Sequence, residues 1–77
     1  MAYLIKPNTV IAINETSGTI QNVDQASIIE LSDNSNFTSS IALHPYQMVN
    51  FSNQLYARLY GDTAPFAEIR VVPFKIE

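Results

Sequence analysis

The chain has 77 residues, no cysteine, one histidine (His44) and a formal charge of −3, with four basic residues, Lys6, Arg58, Arg70 and Lys75, scattered along it. That is one domain, residues 1–77, of a size that usually leans on disulfides, metals or partner subunits. Disulfides, thiolate metal sites and a multi-histidine site within one chain are excluded, and no basic face can be assembled for nucleic acid or an anionic membrane. A well-packed small core or self-association remains, and no cofactor is expected. Charged residues make up only 14 % of the chain; Asn, Gln, Ser and Thr take their place. No apolar run reaches the length of a membrane span. The start, MAYLIKPNTV, has no basic region followed by an apolar segment, so the expectation is a protein made in the cytoplasm without a signal peptide. The sequons at Asn14, Asn36 and Asn50 then read as chance matches in an Asn/Ser/Thr-rich chain.

The hydrophobic period is two. In NTVIAIN, Thr9, Ile11 and Ile13 face one way and Val10 and Ala12 the other. Thr16-Ser17-Gly18 reads as a hairpin loop leading to a strand around Ile20, and Asn22-Val23-Asp24-Gln25 separates that strand from the next. In SIIELS, Ile29 and Leu31 alternate with Glu30 and Ser32. Between Leu31 and Ile41 every residue except Phe37 is Ser, Thr, Asn or Asp. Asp33 is the only carboxylate there, too few hard ligands for calcium. This stretch reads as a tight connection in which Asp33, Asn34 and Ser35 bond their own backbone and Phe37 tucks under the loop as its anchor. A strand from Ile41 to Leu43 follows.

In PYQMVNFSNQLYARLYG, Met48, Phe51, Leu55 and Leu59 fit a helical stripe with Gly61 as cap. Ser52-Asn53 would be weak in mid-helix, and Tyr56 and Tyr60 alternate with Leu55, Ala57 and Leu59, so two strands, Gln47 to Phe51 and Leu55 to Tyr60, are the preferred reading. Gly61-Asp62-Thr63-Ala64-Pro65 forms a turn before the last strand, AEIRVVPF, in which Ala67, Ile69 and Val71 alternate with Glu68 and Arg70. Pro73 removes a ladder donor and marks an edge or a bulge. Six or seven short strands with turns between them predict an all-β fold, a compact antiparallel β-sandwich. An exposed edge strand invites pairing with another chain, and few charges are present to prevent it.

The run IELSDNSNFTSSIAL, then PYQ, LYARLYG and finally AEIRVVPF resembles small fibronectin-like or immunoglobulin-like β-sandwich modules of tailed-phage virion proteins, over residues 27–74. The resemblance implies a structural module associated with a capsid or tail.

Catalytic chemistry is hard to place. His44, the one histidine, precedes Pro45 and reads as an exposed loop residue. The carboxylates lie at turns or on outward strand positions, and two glycines cannot build a phosphate-cradling loop. The chain is not expected to be an enzyme. Tyr46, Tyr56 and Tyr60 are aromatics suited to a contact surface, and Tyr56, Arg58 and Tyr60 alternate onto one face. The sequence therefore points to a virion structural protein, of a phage, serving as a capsid decoration or cement subunit or in a fibre or tail. Its partners would be itself and other virion proteins. The alternative is a free-standing carbohydrate- or protein-binding β-module.

Overall fold

The computed structural model describes residues 2–61 and 66–74. Among these there are eight strands and no helix: β1 (Ala2–Ile5), β2 (Ile11–Ala12), β3 (Gly18–Asn22), β4 (Ile29–Ser32), β5 (Ser40–Leu43), β6 (Met48–Phe51), β7 (Tyr56–Leu59) and β8 (Ala67–Pro73). They form two antiparallel sheets of four, ordered β1-β8-β3-β6 and β2-β7-β4-β5. The all-β class holds, with eight strands in place of six or seven. The additional strand is β1, whose sequence AYLI carries no polar alternation to announce it. The turn expected at 61–65 lies, beyond Gly61, outside the described residues.

The connectivity follows one rule. β1 pairs β8, β2 pairs β7, β3 pairs β6 and β4 pairs β5. These are the rungs of one long hairpin, turned back at the loop between β4 and β5. The hairpin is rolled so that β3 also meets β8 and β4 also meets β7. Every connection except β4–β5 therefore crosses from one sheet to the other. This is jelly-roll connectivity, two Greek keys in eight strands. It differs from the four-plus-three strand order of an immunoglobulin-type sandwich. It also corrects the hairpin expected at Thr16-Ser17-Gly18, because β2 and β3 lie in opposite sheets. Gly18 is needed for another reason. Its φ is +154°, and a Cβ there would lie 2.5 Å from the Val72 carbonyl oxygen, so only glycine lets β8 approach.

The period-two pattern places the core. Ile5, Ile20, Phe51, Ala67, Ile69 and Val71 point inward from the first sheet, and Ile13, Ile29, Leu31, Leu43 and Ala57 from the second. Each large aliphatic side chain so buried contributes about 1.5–3 kcal/mol. The 45–61 segment forms two strands because Phe51 and Ala57 must reach this core from opposite sheets; a helix would put both on one side. Pro73 ends β8 beyond Ala2, the first residue of β1, which pairs Arg70. Its missing N–H costs no ladder bond there.

Three polar residues, Asn22, Ser27 and Ser32, are buried among the described residues. Asn22, the last residue of β3, is fully buried. Its Nδ2 donates to the Ser27 carbonyl at 2.8 Å and the Leu43 carbonyl at 2.9 Å, and its Oδ1 accepts from the Asp24 N–H at 2.9 Å. Its backbone N–H donates to Gln47 O and its C=O accepts from the Tyr46 N–H. Only an amide, with two donors and an acceptor, can satisfy this set. Asn22→Ala strands two buried carbonyls and opens a void. It should lower unfolding free energy by about 2–4 kcal/mol. Urea denaturation checks this, with an unchanged slope showing that the fold is otherwise intact.

Candidate interaction surface

The outer face of the β2-β7-β4-β5 sheet is built by strand parity. On β7, Ala57 and Leu59 point inward, so Tyr56, Arg58 and Tyr60 project outward together. Tyr60 is well exposed and Tyr56 and Arg58 are half-buried. Arg58 lies directly across from Glu30 on β4. Its Nε donates to Glu30 Oε1, while Ser40 Oγ from β5 donates to Glu30 Oε2 at 2.7 Å. Three adjacent strands thus meet at one carboxylate. The Arg58 guanidinium also stands 4.1 Å from the centre of the Phe37 ring, a cation–π contact.

Phe37 is buried, outside the inter-sheet core, on this outer face. The 33–39 loop folds back to place it there. Asn34 organises that loop: its Oδ1 accepts from the Asn36 and Thr38 N–H groups, and its Nδ2 donates to Asp33 Oδ1 and Thr38 Oγ1. Phe37 adopts φ +52°, with its N–H bonded to the Asn34 carbonyl. The ring's burial under Arg58 offsets that left-handed backbone.

Tyr46 is separate from this face. It sits in the turn joining β5 to β6, where Gln47 N–H donates to His44 O at 3.0 Å. Pro45 occupies the first central position and Tyr46 the second, at φ +63°. That is a type II turn, whose second central position favours glycine or asparagine. Tyr46 and Gln47 together face Asn22, a β-bulge that normally also takes glycine first. Yet Tyr46 is 58 % exposed, so little burial repays the strain. His44, in the same turn, is exposed. Among the described residues no group of three or more His, Cys, Asp or Glu side chains gathers as a metal site.

Beside the outer face runs a groove of about 510 Å³, lined by Asn8, Thr9 and Val10 from the β1–β2 connection and by Glu30, Arg58, Leu59, Tyr60 and Gly61. Asn8, at φ +60°, turns the chain into it; asparagine tolerates that conformation. The tyrosine and arginine were legible from the alternation in LYARLYG. Asn8, Thr9 and Glu30 were not, because only the winding brings them alongside β7. Comparison with family models, curated proteins and solved structures finds no match to this chain.

The Arg58 hydrogen bond, helped by that from Ser40, holds the Glu30 carboxyl below its ordinary value of 4.5. The Ala26 N–H, with that of Ser27, does the same for Asp24. Depressed carboxylates stabilise the fold above the unfolded-state value, and that stabilisation is lost as pH falls through the lower folded value. Glu30→Gln should therefore melt lower than the parent at pH 7 and show a shallower loss below about pH 4.5; thermal melts across pH 3–7 test it, and parallel curves would mean the pair adds nothing. Tyr46→Gly should stabilise the protein by about 1 kcal/mol by relieving the left-handed backbone. A loss of stability in chemical denaturation would show that the ring packs usefully after all.

Proposed function

We propose that this chain is a structural subunit of a virus particle, of a phage, acting as a capsid decoration or cement protein or in a fibre or tail, and working by protein–protein assembly. The observation that carries the reading is the jelly-roll winding, an architecture on which viral capsid domains are built. The support is one of fold analogy, joined to a surface that fits assembly. Tyrosine and arginine are among the residues enriched at binding hot spots. Here Tyr56, Arg58 and Tyr60 share one outer face, and the Glu30 and Phe37 contacts hold Arg58 rigid, so little side-chain freedom is lost on docking. Tyr46, exposed and strained, fits the same role.

A second reading, carbohydrate binding, is favoured by the groove. Tyr60 can stack on a sugar ring while Asn8, Glu30 and Arg58 supply hydrogen bonds to hydroxyls. Lectin domains also use this winding.

Tyr60→Ala separates folding from assembly. It should weaken association at least tenfold, about 1.4 kcal/mol, while leaving the melting temperature of the isolated subunit within a few degrees. Sedimentation equilibrium and thermal melting measure the two. Unchanged association would remove the β7 face from the interface. Binding on a glycan array that is lost in Tyr60→Ala would favour the carbohydrate reading; silence on a broad array would count against it.

A further inference from the structure

We infer that two copies of this chain pair through β5, edge to edge and antiparallel across a two-fold axis, with Ile41 on the axis. This inference rests on the self-assembling reading above and names the contact. It starts from one anomaly. Ile41 pairs with Leu31 and shares the inward parity of Leu43, both buried, yet it is 55 % exposed. It is the one inward-pointing strand residue in that condition among those described. Ile41 stands at the mouth of a slot of about 250 Å³ between the two sheets, with Leu31, Val49, Phe51 and Leu55 as its apolar lining and Asp33 and Asn50 among its polar lining. β5 and β6 are edge strands of opposite sheets, and this is the open seam between them.

The backbone points the same way. Tyr60 N–H donates to Ile28 O. Bonded and non-bonded pairs alternate in an antiparallel ladder, so Glu30 bonds β7, and Ile29 and Leu31 bond β5. Ile41 and Leu43, their partners, face β4. The N–H and C=O groups of Ser40 and Ala42 therefore face outward at the free edge.

Edges are normally blunted by shortness, charge, proline or a bulge. β2 is two residues long, β1 runs into Lys6-Pro7, and β6 begins at the Tyr46–Gln47 bulge. β5, Ser40-Ile41-Ala42-Leu43, has no charge, proline or bulge among its own residues; its proline, Pro45, comes after His44 and leaves Ser40 and Ala42 unblocked.

The occupant is a second copy because the edge is self-complementary. In a two-fold pair the same strand serves both sides and the axial residue meets its own copy, so a chain of net charge −3 pairs best where it carries no uncompensated charge. β5 has no charge, the carboxylate in the next strand, Glu30, is matched by Arg58, and the nearby Asp33 belongs to the β4–β5 loop and not to the paired strand. The register that uses the free groups sets Ser40 opposite Ala42 of the second copy as bonded pairs. The two Ile41 residues then form the close non-bonded pair between them. The outer face of the joint holds only Ser40 and Ala42, small enough to pass. On the inner face each Ile41 covers the other at the slot.

Sedimentation equilibrium across a hundredfold concentration range tests this on the full chain, with Ile41→Lys, which puts like charges on the axis, and Ala42→Pro, which removes an outward N–H and no bond to β4. Both should raise the dissociation constant at least tenfold while circular dichroism shows the same folded subunit. Ile41→Cys should form a disulfide dimer under mild oxidation, since close pairs stand about 4.5 Å apart and disulfides span about 4.4–6.8 Å between Cα atoms. Ala12→Cys on β2 should not. If the parent associates and the two edge variants associate equally, with no Ile41→Cys crosslink, the β5 pairing is overturned and the assembly reading stands on another face. If the edge variants dissociate while Tyr60→Ala does not, the β5 pairing stands and the β7 face loses its role. A parent that is monomeric throughout overturns the pairing and leaves only docking onto a different protein.

Discussion

The buried amide of Asn22 is the point from which the two sheets are held. It lies at the end of β3 in one sheet and bonds the carbonyl of Leu43, the last residue of β5 in the other. The same side chain bonds Ser27 and Asp24, which shapes the crossing from β3 to β4. Its backbone pins both residues of the bulge that starts β6. Two crossings between sheets and one edge register thus converge on one residue. Apolar burial sets the distance between sheets but is non-directional. A satisfied buried amide adds direction, because in a low-dielectric interior a missed bond is costly.

The rolled hairpin has a price in contact order. Its rungs join residues as distant as Tyr3 and Ile69, and long loops must close before such pairs form. The β4–β5 hairpin is the local exception, and it is reinforced from above. Asn34 shapes its loop, Phe37 folds onto the sheet, and Arg58 binds both that ring and Glu30. This stack stiffens the strands that also present Tyr56 and Tyr60. The proposed contact surface thus rests on a locally rigid patch, which is where a binding face loses least on ordering. β5, the strand proposed to pair with a second copy, is fastened to the same patch by Ser40. Tyr46 shows the opposite economy. Glycine would suit its backbone better, and its ring is mostly in solvent, so folding alone does not account for a tyrosine there.

Strand by strand, most of the fold was legible. The alternation in SIIELS and AEIRVVPF set the inward Ile29, Leu31, Ala67, Ile69 and Val71 apart from Glu30, Glu68 and Arg70, that in NTVIAIN put Ile11 and Ile13 on one face without fixing which face is inward, and Ser52-Asn53 argued rightly against a helix. β1 escaped because AYLI is apolar on both faces, Tyr3 and Ile5 inward and Leu4 outward. The connection at Thr16-Ser17-Gly18 was read as a hairpin because turn chemistry looks the same whether the chain returns beside itself or crosses to another sheet. At the surface, Tyr56, Arg58 and Tyr60 could be assigned to one face by parity alone. Their neighbours Glu30, Phe37 and Asn8 could not, since these arrive from strands and loops whose register is not local. In the sequence Asn22 reads as a turn residue, a role its side-chain chemistry equally suits.

The sequence by itself determined the class, the strand faces and the shortage of charge, because side-chain alternation and composition are properties of neighbouring residues. It also carried the absence of cysteine and the single histidine, which narrow the chemistry directly. Only the tertiary structure decided the winding of the hairpin, the partner of Arg58, the burial of Asn22 and the exposure of Ile41. Each of those depends on which distant strand lies alongside. That choice is made by the packing of all eight strands at once, through long-range pairing that no short stretch of chain encodes.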